Sequence, residues 1–239
     1  MVKKGGNKKT KRSKAPAFWT IQRKESKFTT TTLPGPHPKE MSYTLAVFLR
    51  DVLGFVKTLR EAKFVIYEGK IKIDGIIRTE ANYPVGLMDV IEIPIINKIY
   101  RLVPTRLNPL SPIEITEKEK SMKLCRVKVK KVVKKGKIQY GLHDSRSIFF
   151  DDVKLKIGDT CLIEVPSQKF INSIKLEEGS LVIITRGEKV GQIGTIKQVR
   201  QGNFTRQKMF DILLNEISTQ LPSDIVFPIG TQNPLITIG

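Results

Sequence analysis

Short runs of alternating apolar and polar residues fill the chain from Met122 onward, separated by turn residues at intervals of roughly 8–12 positions. In Val127-Lys128-Val129 two apolar side chains flank a basic one, and Ile138 to Leu142 resumes the pattern after a turn near Lys135-Gly136. Because successive side chains of a strand point to opposite faces, this alternation predicts strands with one buried face and one solvated face. Repeated at this spacing, it is typical of small β barrels.

Two β units are predicted in this region. The first covers residues 106–176, and the second, a predicted five-stranded barrel, covers residues 177–239. The glycine-rich stretch from Gly187 to Gly194 has neither the Gly-Lys-Ser/Thr of a P-loop nor a surrounding βαβ unit, so we interpret it as a barrel hairpin. Further strands are predicted at 147–150, 160–165 and 169–175, and then at 181–184, 195–199, 209–214 and 225–229.

Before the β region, apolar residues recur with the spacing of α-helices. Apolar residues recur at helical intervals from Tyr43, and Gly54 lies where a C-terminal cap is expected, which predicts a first helix. A second helix is predicted to begin at Thr58, because Glu61 stands three positions later and completes a capping-box signature. Two helices in succession therefore open a compact unit, predicted to cover residues 40–105.

A short hairpin is predicted directly after the second helix. Asp74-Gly75 supplies the backbone freedom that a two-residue β turn needs, between Lys70–Ile73 and Ile76–Arg78. Strands are expected at 90–93 and 99–103, and a linker is expected where prolines recur, at Pro104, Pro109 and Pro112.

The charge balance indicates the kind of partner. Of the 239 residues, 42 are Lys or Arg and 23 are Asp or Glu, which gives a formal net charge of +19. The positive side chains of so basic a protein repel one another unless a polyanion binds to them. The composition therefore implies that the partner is nucleic acid or an anionic membrane. The sequence has neither an apolar run of about 18 residues nor an apolar stretch behind its basic start, which favours nucleic acid and excludes a spanning helix or a secretory signal.

Residues 1–39 form a predicted basic arm. Eleven basic residues there face a single acid, Glu25. Without an apolar period, the arm alone is expected to be disordered. Phe18 and Trp19 are exceptions, and they could anchor the arm to the body or stack on unpaired bases; we favour the anchor.

A second group of basic residues is predicted around the second helix and the hairpin. Lys57, Arg60 and Lys63 are three apart and are expected to share one helix face, opposite the apolar residues. The alternative is an ordinary solvated face, since acids such as Glu61 and Glu68 are interspersed. We favour phosphate contact, because basic residues recur at the helix start and on both hairpin strands.

Catalytic and metal-binding patterns are weak. His143, Asp144 and Ser145 are consecutive, and consecutive residues rarely converge as a triad does. Cys125 and Cys161 each sit within an apolar-alternating run and are interpreted as small core residues. We therefore expect no enzyme activity, no metal, no cofactor and no small-molecule substrate.

The order of these parts resembles the archaeal and eukaryotic small-subunit ribosomal protein family S4e. The beginning of the chain, with Pro16, Trp19 and Arg23-Lys24-Glu25, is similar to the family's arm, as is Pro34-Gly35-Pro36-His37-Pro38. The longest similarity, to an alpha-L RNA-binding module, runs through Leu49-Arg50-Asp51-Val52-Leu53-Gly54, Arg60-Glu61-Ala62, Glu68 to Gly75 and Pro84 to Ile91. Leu142 to Arg146 and Ile157 to Thr160 resemble the family's central β domain, and Glu178 to Gly194 resembles its KOW motif.

The resemblance implies an α+β, multidomain fold. Its expected parts are the basic arm (1–39), the alpha-L module (40–105), the central β domain (106–176) and a KOW-type, SH3-like β barrel with the C-terminal tail (177–239). The residues expected to contact RNA are Lys3, Lys4, Lys8, Lys9, Lys11, Arg12, Lys14, Arg23, Lys24, Lys27, Arg50, Lys57, Arg60, Lys63, Lys70, Lys72, Arg78, Arg186 and Lys189.

The resemblance also implies a function. The expected role is a structural constituent of the cytoplasmic small ribosomal subunit, bound to ribosomal RNA and to neighbouring ribosomal proteins and acting in translation. Two alternatives stay open at this point. One is an RNA-modifying enzyme, since alpha-L modules also accompany pseudouridine synthases; the other is a free translation or transcription factor that uses its KOW barrel.

Overall fold

A computed structural model describes residues 9–22, 24–133, 136–150, 153–203, 207–214 and 217–238. Over these ranges the chain is mostly β, with three five-stranded antiparallel sheets, two two-stranded pairs and few helices. Short 3-10 turns connect several strands, at Arg12–Lys14, Lys39–Met41, Pro94–Ile96, Glu117–Glu119 and Ser223–Ile225.

The two predicted helices are present. Helix α1 (Leu45–Val47) begins where the Thr44 side chain accepts a hydrogen bond from the Val47 N–H, and it continues as a π-helical segment, Phe48–Val52. Gly54 follows with a φ of +67°, a left-handed conformation that suits glycine at a helix end. Helix α2 (Leu59–Tyr67) begins with the predicted capping box, in which the Thr58 hydroxyl and the Glu61 carboxylate each accept a hydrogen bond from the other residue's N–H.

The first sheet follows these helices. Its turn adopts the predicted conformation, since Asp74 and Gly75 have φ values of +51° and +76°. The predicted linker is wrong at its C-terminal end, because Ser111–Glu114 pairs with the preceding strand and forms one edge of the sheet. Pro112 is tolerated there because an edge strand needs fewer backbone donors. The sheet order is β5 (Ile76–Ile77), β4 (Lys72–Ile73), β7 (Val90–Ile93), β8 (Lys98–Val103) and β9 (Ser111–Glu114), and a separate pair joins β3 (Ser42–Thr44) to β6 (Pro84–Gly86).

The other two five-stranded sheets occupy the region where short strands are predicted. The second sheet has the order β12 (Ser147–Phe149), β11 (Ile138–Leu142), β10 (Met122–Val132), β13 (Thr160–Glu164) and β14 (Phe170–Ile174). The third has the order β18 (Ile217–Pro222), β17 (Met209–Leu214), β16 (Ile193–Arg200), β15 (Leu181–Ile184) and β19 (Val226–Gly230). Strand β18 is the one strand of the third sheet for which the sequence pattern indicated no range.

The described part of the arm is ordered against the body, unlike the disorder expected of it in isolation. Strand β1 (Lys9–Lys11) pairs with β2 (Phe28–Thr30), so the segment folds back on itself as a two-stranded ribbon. Trp19 and Ile21 are buried in the core that contains both helices. The arm therefore folds because two apolar side chains tie it to the helical unit.

One hydrophobic cluster joins the three sheets. It combines residues from strand β8, from the second sheet and from the third sheet with the C-terminal tail, in which Ile236 and Ile238 are buried. Its buried members also include Met88, Val103, Leu124, Leu162, Ile174, Ile183, Phe227 and Ile229. Burial of apolar surface shared among the sheets holds them together. Cys125 and Cys161 are buried, free and directly opposite each other on β10 and β13, which confirms their interpretation as core residues.

Candidate nucleic-acid interface

Helix α2 presents Arg60 and Lys63 to solvent. Both are exposed, while Ala62 and Ile66 on the other side of the helix are buried in the core. Lys57 does not share this face, which corrects the prediction. It precedes the N-cap Thr58 and lies outside the helix, where its backbone N–H donates to the Glu61 carboxylate.

The basic residues near the hairpin differ in their exposure and in the intramolecular partners that they already have. Arg50 forms a two-bond ion pair with Asp51, at 2.9 and 3.0 Å, and hydrogen bonding to that carboxylate raises the pKa of Arg50. Lys70 is paired with Glu68, and the guanidinium carbon of Arg78 lies 4.6 Å from the centre of the Tyr83 ring. Lys72 is half-buried on β4. Of the predicted set in this region, the exposed members are Lys57, Arg60 and Lys63, together with the paired Lys70.

The aromatic pair of the arm acts as an anchor. The Trp19 side chain is 2% exposed and its indole N–H donates to the Ser42 carbonyl at 2.9 Å. The Phe18 ring meets the edge of Tyr43, with 5.0 Å between ring centres. Trp19 is buried and Phe18 is half-buried against Tyr43, which confirms the anchor interpretation.

The arm's basic residues fall into two groups. Arg12 is partly buried and donates to the Ile21 carbonyl at 2.6 Å, so it stabilises the ribbon. Exposed side chains belong to Lys11, Lys14, Lys24 and Lys27. Lys3, Lys4, Lys8 and Arg23 lie outside the described residues, as does the side chain of Lys9.

The glycine-rich loop joins β15 to β16, as predicted for a hairpin. Arg186 is exposed at its beginning, whereas Lys189 is partly buried and donates to the Thr219 hydroxyl. Gly191 has a φ of +75°, and a Cβ there would lie 2.3 Å from the Thr105 carbonyl carbon. The loop thus packs closely against the chain that follows β8, and only glycine fits at that contact.

A buried ion cluster connects the arm, the first sheet and the second sheet, and sequence reasoning missed it. The Lys123 ammonium, 1% exposed, lies 2.7 Å from Asp74, 2.6 Å from Asp89 and 3.1 Å from Asp144. Arg146 pairs with Asp74 and Asp144, and His37 hydrogen bonds to Asp89 at 3.0 Å. Burial disfavours the charged forms of Asp89 and Asp144, but the neighbouring cations together have a larger opposing effect and lower the pKa of both carboxyl groups. Burial alone would raise the pKa of Asp144, yet Lys123, His143 and Arg146 lower it to about 2.

His143 lies beside this cluster in its neutral form. Its Nδ1 accepts a hydrogen bond from the Arg126 backbone N–H at 3.2 Å, and its Nε2 donates to the Leu87 carbonyl at 3.1 Å. A proton on Nδ1 would point at the Arg126 N–H and prevent this hydrogen bond, so the geometry favours the neutral ring with its proton on Nε2. Burial lowers the pKa of His143 to about 4.

Cys125, His143 and Asp144 offer ligand atoms within 4.8 Å of one another, which is the spacing of a metal site. The chemistry of the donor set does not fit a cation. Lys123 and Arg146 already neutralise Asp144, and burial raises the pKa of the Cys125 thiol, which keeps it protonated. The Lys123 ammonium, 3.1 Å from Asp144, already supplies the positive charge that a metal ion would bring to this carboxylate.

Three profile matches cover most of the chain. Residues 4–40 match the RS4NT (NUC023) domain, residues 44–91 the S4 domain, and residues 96–170 Ribosomal family S4e. The small ribosomal subunit protein eS4 of Staphylothermus marinus is 39% identical over 100% of this chain and 98% of its own length. The chain belongs to the S4e family. The eS4 protein of Hyperthermus butylicus is 41% identical over 100% of this chain and 98% of its own.

A solved S4e structure has the same fold. The crystal structure of the 30S ribosomal protein S4e from Thermoplasma acidophilum superimposes with a TM-score of 0.71 at 33% identity, over 81% of this chain and 97% of that one. In the described part of this S4e chain, no helix is long and apolar enough to cross a membrane. The S4 match includes helix α2 and the hairpin that follows it.

Proposed function

We propose that this S4e chain is a structural RNA-binding component of the small ribosomal subunit and has no enzymatic role. Its expected partners are ribosomal RNA and neighbouring ribosomal proteins, and its expected location is the ribosome in the cytoplasm. The relatives named above are themselves called small ribosomal subunit proteins, and the S4 domain supports contact with RNA.

One structural observation carries the proposal: the fold buries acids and exposes bases. Among the described residues, five aspartates are buried, compared with two basic side chains, Lys123 and Arg101. The buried aspartates are Asp74, Asp89, Asp144, Asp159 and Asp211. The positive excess on the surface is therefore greater than the sequence total indicates. A surface of this kind binds RNA by neutralising phosphates and releasing counterions.

We assign the phosphate contacts to the exposed members of the predicted set. These are Lys11, Lys14, Lys24, Lys27, Lys57, Arg60, Lys63 and Arg186. Lys72 and Lys70 lie beside them on the hairpin and extend the same basic region. The intramolecular partners of Arg12, Arg50, Arg78 and Lys189 give these four residues a second, structural role.

We further propose the four-part division at residues 39, 105 and 176, with the middle boundary moved past strand β9, which pairs in the first sheet, and with the third sheet as a KOW-type barrel. The first and last strands of that unit, β15 and β19, pair side by side, and β18 and β19 form the edges, an arrangement that suits a five-stranded, partly open barrel. The loop between β15 and β16 would then contact the protein at Gly191, which lies close to Thr105. At its other end, Arg186 is exposed and could contact RNA.

Co-sedimentation tests the function. The purified chain, mixed with archaeal small subunits that lack their S4e protein, is expected to sediment with them in moderate salt and at a one-to-one ratio. A free translation or transcription factor would stay mostly in the supernatant. That outcome would overturn the proposed structural role, even if the chain still bound RNA.

A further inference from the structure

We propose that an exposed face of the second sheet binds an unpaired RNA base. The inference rests on the proposed RNA-binding function and adds a base-stacking site outside the residues assigned to phosphate contact. Strands β10, β11 and β12 form this surface, which we call the outer face of the second sheet. Its members are Val129, Lys131, Gln139, Gly141, Ser147 and Phe149.

The strand register sorts these residues into two rows across the three strands. Side chains of directly opposed residues point to the same face of an antiparallel sheet. One row consists of Lys131, Gln139 and Phe149, and the other of Val129, Gly141 and Ser147. Because the rows are two residues apart along each strand, all six positions share one face.

The opposite face of these strands is covered by the protein. Between the two rows, Tyr140 lies opposite both Lys130 and Ile148, and Tyr140 and Ile148 are buried. The Lys130 ammonium on that face donates to the Leu155 carbonyl at 3.1 Å. The outer face therefore points to solvent, where the Phe149 side chain is 50% exposed.

Phe149 offers a free ring for stacking. Within the described part of the chain, its ring contacts neither another aromatic ring nor a cation, unlike the neighbouring Phe150, which packs against Tyr140 and Phe170. An exposed ring on a flat sheet face provides a surface on which an unpaired base can stack, and RNA-binding sheets use aromatic side chains in this way.

Gly141 keeps the outer face low beside the ring. Its φ is not in the left-handed region that favours glycine. Strand β10 has a bulge between Val127 and Val129 at this level, but it leaves room for a side chain, since a Cβ on Gly141 would approach nothing closer than Val129, at 3.4 Å. A glycine inside a strand weakens it and often marks a place where a ligand comes close to the backbone.

Charge on the outer face favours RNA over a protein partner. Lys131 is exposed at the end of the row that contains Phe149. It belongs to the stretch 128–137, in which six of ten residues are lysine and none is acidic. Protein interfaces are depleted in lysine at their centres, whereas phosphate contact uses such cations. The Gln139 amide, between the ring and the cation, both donates and accepts hydrogen bonds, as the edge of a base requires.

The spacing of this row suits one nucleotide. Neighbouring strands are about 5 Å apart, so the Phe149 and Lys131 backbones lie roughly 10 Å apart on either side of Gln139. A base stacked on Phe149 would direct its phosphate towards Lys131. Bases within an RNA helix are stacked on one another and present only their groove edges, so the ligand has to be a looped-out or bulged nucleotide.

Affinity measurements with a rescue variant test the stacking. The probe is transcribed archaeal small-subunit rRNA, bound at fixed salt by the full chain. Phe149→Leu keeps an apolar side chain but removes the ring, and we expect it to weaken binding by roughly 5- to 150-fold, the range for loss of one base stack. Phe149→Trp keeps a stacking ring and should remain within about twofold of wild type. Equal affinities of Phe149→Leu and wild type, or equal losses in the Leu and Trp variants, would sink the inference.

Ile171→Ala is the control for loss of exposed apolar surface. Ile171 is 46% exposed and lies on β14, at the opposite edge of the same sheet. It should bind rRNA as wild type does, and thermal melting of all three variants should show that the sheet remains folded. A loss in Ile171→Ala as large as that in Phe149→Leu would count against a specific role of the ring.

The salt dependence separates stacking from phosphate contact. Lys131→Gln should flatten the slope of log affinity against log salt by roughly 0.7, the value for one contact to a single strand. Phe149→Leu should leave the slope unchanged, because stacking releases no counterion. Lys169→Gln, at an exposed position before β14, is the charge control. An unchanged slope in Lys131→Gln, or equal flattening in both lysine variants, would refute the proposed arrangement.

A photo-crosslink identifies the occupant. With p-benzoylphenylalanine in place of Phe149, irradiation of the rRNA complex and of the assembled subunit should join this position to a nucleotide that is unpaired in the folded RNA. A crosslink to another ribosomal protein, or to paired nucleotides, would overturn the inference. If wild type itself bound no RNA at low salt, the proposed function would fail as well, so the two failures are distinguishable.

Discussion

The Lys123 ammonium lies 2.6 Å from the Asp89 carboxylate, at a position where neither side chain is more than 2% exposed. Lys123 belongs to strand β10 of the second sheet, and Asp89 precedes strand β7 of the first. The pair therefore connects two sheets through charge in a site that water does not reach. The buried ion cluster should affect stability, and the exposed basic residues should affect RNA binding.

Lys123→Met should destabilise the protein strongly. Methionine resembles the lysine stem in size, but it leaves Asp74, Asp89 and Asp144 without their shared cation, and removal of one member of a buried ion pair costs about 3–5 kcal/mol. Denaturant unfolding measures the loss. Lys128→Met, at an exposed position on the same strand, should change the free energy of unfolding little. Equal effects of the two substitutions would contradict the cluster's role.

His143 should make stability depend on pH. Its folded-state pKa, about 4, is lower than the ordinary 6.5, so the unfolded chain binds the proton more readily. The contribution to stability is fully present above about pH 6.5 and is lost as the pH falls towards 4, by at most about 3 kcal/mol. Urea unfolding at several pH values should show this decline in wild type and a smaller one in His143→Gln. Parallel curves for the two proteins would contradict the assignment.

The combined variant Arg60→Ala, Lys63→Ala and Lys72→Ala should bind rRNA more weakly without unfolding. These side chains lie on helix α2 and strand β4 of the S4 domain, and the first two are exposed. Each lost phosphate contact should flatten the dependence of log affinity on log salt by roughly 0.7–0.9. Filter binding across a salt series gives the slope, and thermal melting gives the stability. A large drop in melting temperature would show that this face is structural.

The arm's exposed lysines should contribute to the same salt dependence. Changing Lys11, Lys14, Lys24 and Lys27 to Gln removes charge but keeps Trp19 and Ile21, whereas deletion of residues 1–27 would also remove these buried anchors. We expect weaker rRNA binding, a flatter salt slope and unchanged stability. Lys118, Lys154, Lys175 and Lys197 are exposed elsewhere and, changed to Gln, form the control. The arm is not a binding element if both sets flatten the slope equally.

Gly191→Ala should destabilise the protein more than Gly187→Ala. Both glycines have positive φ, +75° and +92°, so both substitutions strain the backbone. Only at Gly191 would the new Cβ also collide with backbone, at 2.3 Å from Thr105; nothing lies within 4 Å at Gly187. We expect the difference in the free energy of unfolding to exceed about 1 kcal/mol. A smaller difference would mean that the contact with Thr105 relaxes easily.

Much of the local structure follows from the sequence alone. The capping box at Thr58 and Glu61, the Asp74-Gly75 turn and most strands of the second and third sheets depend on interactions among residues a few positions apart, so they can be predicted from patterns. The net charge of +19 likewise indicates a polyanionic partner without any structure. Lys57 is an exception: its spacing of three residues from Arg60 suggested a shared helix face, although the capping box at Thr58 leaves Lys57 outside the helix.

Only the tertiary structure determines which charged side chains are exposed to a partner and which are buried in ion pairs. Lys123 looks like any other lysine in an alternating strand, yet its partners Asp74 and Asp89 stand 49 and 34 positions away, and only the packing of two sheets brings them together. In the same way, packing makes Trp19 an anchor and buries aspartates that lower the net positive charge of the sequence. Local patterns carry no information about contacts between distant segments, because those contacts depend on how apolar surfaces from the whole chain are buried together.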